Sequence, residues 1–357
     1  MRENNTRSFS SVGRQVRLER EKRRKKRAIL ISAIAVVSIA IILFAFLILA
    51  EIFGWFEKAP EVPDDGPSNV GIKLEFEELL KSSDEIHKGD LILINSAFPY
   101  VFPDTPPTVS PVTSGRTEFD YVNSEGKKTK VFSYYTQSGE QACARIETET
   151  LKLLQKWSDD FYRATGNIDL FIFNEDGYRT KDDQSSYYAE SPVNYAAPGE
   201  TEHHTGKIID LYVYTAAGVR GNIDDPEFAA TFKWIYDNAY KYGFVHRYPS
   251  DKTAVTGVSY EPYHFRQVGY AHAYYMTKNG YCLEEYLDLL KDSYTYSTAA
   301  LEFKGDDGNS YIVYYVPASA DGITAIPVPK DGQGCTYTVS GDNKEGFVVT
   351  VTTVNEQ

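Results

Sequence analysis

Residues 198–210 read PGETEHHTGKIID and contain two adjacent histidines followed by an aspartate. His203 precedes Asp210 in a pattern of the form HxxxxxxD. Asp210 lies within the apolar run KIIDLYVY, where an ionised carboxylate is costly unless it is paired or bound to a metal. This stretch therefore indicates a buried polar site at a predicted strand.

Residues 260–266 read YEPYHFR and place Glu261 three positions before His264. One carboxylate and two imidazoles from these separate segments would make a three-ligand catalytic zinc site, which keeps its fourth position for water. Glu261 is the spare carboxylate that could act as general base on that water. Each piece recurs by chance in other sequences, so spacing alone only suggests such a site.

The charge of the chain is strongly asymmetric. The net charge is -13, but residues 1–27 carry eleven Lys or Arg and three Glu, so the remainder is strongly acidic. Nucleic-acid phosphates need cations, so an acidic body of this kind argues against nucleic-acid binding. We expect no nucleic-acid partner.

Residues 28–50, AILISAIAVVSIAIILFAFLILA, contain no charged side chain. At about 1.5 Å per residue, a helix of this length spans a hydrocarbon core of about 30 Å. The preceding basic run predicts a cytoplasmic N-terminus and an extracellular body. A cleaved signal peptide is the alternative, but the stretch is long and bulky residues 51–56 follow it, which disfavours cleavage.

After the predicted linker, the apolar periodicity indicates both helices and strands in mixed order, which is typical of an α+β fold. Helices are predicted over residues 137–163, 225–242, 267–278 and 282–291. Strands are predicted over residues 91–94, 168–173, 208–213, 311–316 and 347–354. The predicted organisation is a basic tail (1–27), a transmembrane helix (28–50), a linker (51–74), a main domain (75–295) and a small C-terminal β accessory domain (296–357).

Several ordered motifs between about residues 86 and 293 resemble those of the VanY-like zinc D-alanyl-D-alanine carboxypeptidases. TEHHTGKIID resembles the family pattern SxHxxGxAxD, and EPYHFR resembles EPWHFR. DGYRT with a following glutamine, and YGFVHRYP, resemble two further family segments. Thr201, Tyr263, Asp176 and the pair at 207–208 depart from the usual residues, which leaves substrate choice more open than catalysis.

The resemblance implies a role for each matching position. His203, Asp210 and His264 would bind Zn²⁺, and Glu261 would be the general base that later protonates the leaving amine. Arg179 would hold the substrate or stabilise the developing oxyanion. Gln184, Thr201 and Tyr178 would line the substrate cleft. The implied fold is the hedgehog/DD-peptidase-like domain, in which helices flank a small antiparallel sheet that bears the metal.

Other polar residues near these motifs have simpler interpretations. We expect His204 to be a cleft-edge or solvated residue, because the family pattern requires only the preceding histidine. His87, His246 and His272 are expected to be structural, and Arg247 and Arg266 to be internal ion-pair partners.

The sequence thus predicts a membrane-anchored enzyme that removes the terminal D-alanine from peptidoglycan stem peptides. The expected location is the outer face of the cell membrane of a Gram-positive bacterium. Two alternatives stay open. One is an L,D-carboxypeptidase that acts on tetrapeptide stems. The other is a zinc-containing module that binds wall peptides without cutting them, although the presence of Glu261 disfavours it.

Overall fold

The computed structural model describes residues 74–123, 125–139 and 141–353. The predicted tail, transmembrane helix and most of the linker lie outside these residues. Within the described ranges, no helix is long and apolar enough to cross a membrane. The described residues all belong to one compact unit.

The described strands are numbered in chain order. They are β1 (Phe76–Ser82), β2 (Val109–Pro111), β3 (Phe119–Val122), β4 (Lys128–Val131), β5 (Tyr135–Thr136), β6 (Arg145–Glu147), β7 (Leu170–Ile172), β8 (Ile208–Asp210), β9 (Tyr212–Tyr214), β10 (Arg220–Asn222), β11 (Phe244–Tyr248), β12 (Glu261–Gln267), β13 (Leu301–Lys304), β14 (Ser310–Pro317), β15 (Ile323–Pro329), β16 (Cys335–Gly341) and β17 (Gly346–Thr353).

The described α-helices are α1 (Thr148–Thr165), α2 (Lys181–Glu190), α3 (Ala229–Asn238), α4 (Thr253–Thr256), α5 (Tyr270–Asn279) and α6 (Leu283–Ser293). Short 3₁₀ helices cover Ser83–His87, Glu202–Thr205, Ala239–Tyr242 and Ser250–Lys252. Helices and mostly antiparallel strands are mixed along the chain, as predicted for the main domain.

Two small sheets form the centre of the main domain. One has the order β10-β9-β7-β5, and the other has the order β11-β12-β8. Their apolar faces pack around Trp157 of α1, whose ring stacks on Phe244 and contacts the edge of Phe265. Trp157 is fully buried, so this aromatic cluster fixes α1 against the sheet that carries β12.

The C-terminal strands form a sheet in the order β13-β14-β17-β16. One face shares a core with α5 and α6, in which Leu283, Leu287 and Leu290 lie with Val313 and Val348. The other face belongs to a separate core that includes strand β15 and the apolar residues of β1. β1 pairs with β15 along seven residues, from Phe76 opposite Pro329 to Ser82 opposite Ile323. The boundary predicted at residue 295, between the main domain and the C-terminal β domain, stays a prediction.

Several predicted elements differ from the structure. The strand predicted over 208–213 is two short strands, β8 and β9, which belong to different sheets. The helix predicted over 137–163 begins only at Thr148, because Arg145–Glu147 pairs as β6 with β2. The run at 91–94 is buried as expected but is not a strand. Its backbone bonds instead to the loop after β16, where Leu93 N donates to Asp342 O at 3.0 Å.

Candidate metal centre and active site

The candidate site lies where β8 and β12 pair. In their antiparallel register His264 is opposite Asp210, so both side chains leave the sheet at the same point. His203 arrives from the 3₁₀ helix that precedes β8. The Thr201 side chain caps this helix by accepting from His203 N at 3.3 Å, and Gly206 ends it with a φ of 72°.

The three predicted ligands converge. One ligand atom from each of His203, Asp210 and His264 lies within 4.8 Å of the others. Asp210 Oδ2 is 3.5 Å from His203 Nε2, and Asp210 Oδ1 is 3.0 Å from His264 Nδ1. The sequence prediction that these residues meet therefore agrees with the geometry.

The donor set fits a zinc ion. All three side chains are buried, with 5–6% of each exposed. Asp210 Oδ1 has no hydrogen-bond partner although His264 Nδ1 is close, so the two atoms are near without being aligned for a hydrogen bond. A buried, unsatisfied carboxylate oxygen beside two imidazole nitrogens is costly without a further partner, and a cation satisfies all three.

Electrostatics within the site follow from burial and these close charges. Although burial opposes the shift, the two imidazoles hold the pKa of Asp210 below its usual value. Burial also opposes the change at His264, yet the Asp210 carboxylate raises the pKa of that imidazole to about 9. Burial and Arg179 together place the pKa of His203 well below its usual value. Metal binding would displace any proton from the ligand nitrogens.

Glu261 lies at the start of β12 beside the ligands. Its Oε2 is 3.3 Å from His264 Nδ1, and 28% of its side chain is exposed. Burial raises the pKa of Glu261 above its usual value, while His264 acts in the opposite direction. A carboxylate with access to both the ligands and the cleft has the position that a general base requires.

Arg179 faces the same cleft from the segment before α2. Its Nε donates to Glu175 O at 2.9 Å, and its guanidinium lies over the rings of Tyr187 and Tyr195. Gln184 is fully buried, accepts from Arg179 Nη1 at 3.4 Å and donates to a backbone carbonyl at 2.6 Å. Gln184 thus supports Arg179 from behind.

The cleft has a volume of about 400 Å³. Arg179 and Thr201 line it as predicted, whereas Tyr178 and Gln184 are not among its lining residues. The polar lining that sequence reasoning missed comprises Glu175, Asn194, Tyr195, Glu200, Glu202, Tyr212, Arg220 and Tyr248. Some of these side chains flank the motifs, but nothing in their residue types indicated that they would face the site.

Two of the simpler expectations are confirmed and one is wrong. Arg247 and Arg266 are fully buried ion-pair partners of Glu202, at 3.0 and 3.4 Å. His204, in contrast, is buried and not solvated. Its ring bridges two backbone segments, with Nδ1 2.7 Å from Arg179 O and Nε2 accepting from Gly199 N at 3.1 Å. His204 thus connects the Arg179 segment to the loop at Gly199.

Comparison with known proteins decides the family. Residues 146–270 match the family model of VanY, D-alanyl-D-alanine carboxypeptidase. A D-alanyl-D-alanine carboxypeptidase of Enterococcus faecium is 32% identical over 298 residues, which make up 83% of this chain and 86% of that protein. The chain belongs to the D-alanyl-D-alanine carboxypeptidase family. It is a peptide hydrolase, and the resemblance read from its motifs is confirmed.

Other members of this carboxypeptidase family are also similar. The bifunctional D-Ala-D-Ala dipeptidase and carboxypeptidase VanXYC of Enterococcus gallinarum is 36% identical, over 39% of this chain and 77% of that protein. The solved structure of the vancomycin-resistance D,D-dipeptidase VanXYg, in complex with a D-Ala-D-Ala phosphinate analogue, has a TM-score of 0.60 and 26% identity. The match covers 78% of this chain and 99% of that chain, so the arrangement of helices and small sheets is that of these peptidases.

Proposed function

We propose that this carboxypeptidase uses zinc to hydrolyse the terminal D-Ala-D-Ala bond of peptidoglycan stem peptides. One observation carries the proposal. His203, Asp210 and His264 bring their ligand atoms together, with Glu261 beside them on an open cleft. The names of the relatives support the D-Ala-D-Ala substrate.

The zinc ion would be held by His203 Nε2, Asp210 and His264 Nδ1, because these atoms face one another. When bound, it supplies Lewis-acid polarisation of the scissile carbonyl and an activated water. The remaining chemistry belongs to side chains of the protein. Glu261 accepts the proton of the attacking water on its carboxylate and returns it to the leaving amine of D-alanine.

Arg179 supplies a fixed positive charge in the same cleft. Arg179 is 8% exposed, and its guanidinium is held by Glu175 O and Gln184, so little reorganisation is needed when negative charge arrives. A carboxypeptidase must recognise a terminal carboxylate and also stabilise a developing oxyanion. Arg179 is suited to either task, with the Thr201 hydroxyl lining the same cleft.

The proposal is tested by incubating the purified protein, loaded with zinc, with defined pentapeptide and tetrapeptide muropeptides. We expect the pentapeptide to lose the mass of one alanine residue while the tetrapeptide stays intact. Shortening of the tetrapeptide would favour the L,D-carboxypeptidase alternative. Binding of both peptides without any cleavage would favour the non-catalytic module.

We further propose that residues 28–50 anchor the enzyme in the membrane with residues 1–27 in the cytoplasm. Support comes from the sequence alone, namely the uncharged apolar stretch and the basic run before it. Protease added to intact protoplasts should then remove the domain that follows residue 50 and spare the basic tail. Protection of the large domain would reverse this topology.

A further inference from the structure

Glu202 is a buried carboxylate that the proposed chemistry does not use. It precedes His203 in the 3₁₀ helix, and its side chain is completely inaccessible to solvent. Its Oε1 is 3.0 Å from Arg247 Nε and 3.4 Å from Arg266 Nη1. Burying a carboxylate is expensive even when it is paired, so its position calls for an explanation.

The second oxygen of Glu202 points to a ligand residue. Glu202 Oε2 and His264 Nε2 are both buried, and neither has a hydrogen-bond partner. They lie 3.9 Å apart, so a movement of about 1 Å would bring them to hydrogen-bond distance. The arrangement is that of a donor and an acceptor facing each other.

The contacts of the other ring nitrogen of His264, Nδ1, determine which nitrogen is the donor. Nδ1 lies 3.0 Å from Asp210 and 3.3 Å from Glu261, so Nδ1 is the nitrogen on the metal side. A neutral imidazole that binds through Nδ1 carries its proton on Nε2. That proton points to Glu202.

In His203 the corresponding contact of the remote ring nitrogen is already at hydrogen-bond distance. Its Nε2 faces Asp210 at 3.5 Å, while its Nδ1 lies 2.7 Å from the carbonyl oxygen of Gly177. The remote nitrogen of a metal-binding histidine usually donates to a carbonyl or carboxylate, which fixes the tautomer and the ring orientation. Glu202 is the corresponding acceptor for His264.

We propose that Glu202 is a positioning residue of the metal centre, which accepts the Nε2 proton of His264 and holds Nδ1 toward the metal. The inference rests on the proposed zinc site. Arg247 and Arg266 have the complementary task of neutralising this carboxylate, and Glu284 in turn pairs with Arg247 through two bonds of 2.7 and 2.9 Å. The buried ionic cluster thus connects the metal ligand to α6.

The test compares two isosteric substitutions in full-length protein. Glu202→Gln removes the charge that faces His264, and Glu284→Gln removes a carboxylate from the same buried Arg247 without touching the ligand. Zinc dissociation constants are measured by competition with a chromogenic chelator. We expect Glu202→Gln to weaken zinc binding about 10- to 100-fold, and Glu284→Gln to leave it within about threefold of wild type.

A spectroscopic measurement separates positioning from loss of folding. Long-range ¹H–¹⁵N spectra of the zinc-loaded protein report which nitrogen of His264 carries the proton and how strongly it is hydrogen-bonded. The Nε2 proton resonance should be shifted downfield in wild type and in Glu284→Gln, and move upfield in Glu202→Gln. If Glu202→Gln does not fold, Glu202→Asp is used instead. The shorter side chain keeps a negative charge near Arg247 and Arg266 but moves it away from His264. It should weaken zinc binding to a similar extent as expected for Glu202→Gln.

The outcomes are distinct. If wild-type protein does not bind zinc, the proposed function itself fails. Normal zinc affinity in folded Glu202→Gln or Glu202→Asp would overturn the positioning role while leaving the zinc site intact. Equal weakening by Glu202→Gln and Glu284→Gln would also overturn it, because the cluster would then act only through general stability.

Discussion

Glu261 is the most exposed of the four side chains around the proposed zinc position. Its side chain is 28% exposed, against 5% for each of His203 and His264 and 6% for Asp210. Metal ligands are best kept away from competing water, whereas a base must reach both water and substrate. The exposed fractions therefore fit the proposed division into three residues that hold the metal and one that moves protons.

Substitution of these residues should separate the two tasks. Glu261→Gln is expected to retain about one equivalent of zinc but to lower kcat/KM by roughly 10²- to 10⁴-fold, because the amide cannot accept the proton. His203→Ala should lose zinc as well as activity. Metal content after dialysis, measured with hydrolysis of a pentapeptide, distinguishes the variants. Full activity of Glu261→Gln would contradict the assignment.

His272 should make the protein less stable in mild acid. The imidazole lies between Tyr286 Oη and Thr350 Oγ1, both at 2.9 Å, and burial lowers its pKa to about 4. The unfolded chain binds a proton near pH 6.5, so folding becomes less favourable as the pH falls from about 6.5 to about 4. The loss should approach about 3 kcal/mol.

The measurement is the free energy of unfolding of metal-free protein between pH 7 and pH 4. His272→Gln should be less stable at pH 7 but show a smaller decrease toward pH 4 than wild type. Parallel pH profiles for the two proteins would show that other groups produce the acid sensitivity.

At the scale of elements, the segment between β7 and α2 connects strand β6 with the 3₁₀ helix that carries His203. Tyr178 N donates to Arg145 O of β6 at 2.6 Å, and Gly177 O lies 2.7 Å from His203 Nδ1. A methyl group at Gly177 would lie 2.3 Å from Arg145 O, which is a backbone atom that cannot rotate away. The glycine is required by close packing and not by a left-handed φ.

Gly177→Ala should therefore destabilise the protein by about 2–3 kcal/mol, through forced movement of this segment. Zinc affinity should fall as well, since the carbonyl that holds His203 would shift. Gly139→Ala is the matched control, because its added methyl meets no atom within 4 Å. Denaturant unfolding of both variants checks the result, and equal stabilities would contradict the packing argument.

The residues that the sequence predicts as ligands and base come together in the structure, because each belongs to a local motif, and their roles stay predictions. The conformation of residues 91–94 could not be predicted, because it depends on a distant loop. Leu93 and Phe98 offer their carbonyls to the Asn343 side chain, which is about 250 residues away. Glu202 was missed for a similar reason, since only the tertiary fold brings Arg247 and Arg266 to it.

At the scale of the whole molecule, residues 296–357 do more than extend the peptidase. Their sheet closes a core with α5 and α6, and it supplies Thr350 to His272. We expect a protein truncated after residue 295 to be strongly destabilised, because the apolar faces of both helices would be exposed. Cooperative unfolding of the truncated protein with full hydrolysis of small peptides would instead support an independent accessory domain.

The pairing of β1 with β15 has a consequence for synthesis on the ribosome. The ion pair that extends it, between Glu75 and Lys330, joins residues 255 positions apart. β1 therefore emerges early and stays without its partner until most of the chain has been translated, and such distant pairings form slowly. A nascent chain that stops before residue 323 would keep β1 without its partner, and an unpaired strand edge is prone to aggregation.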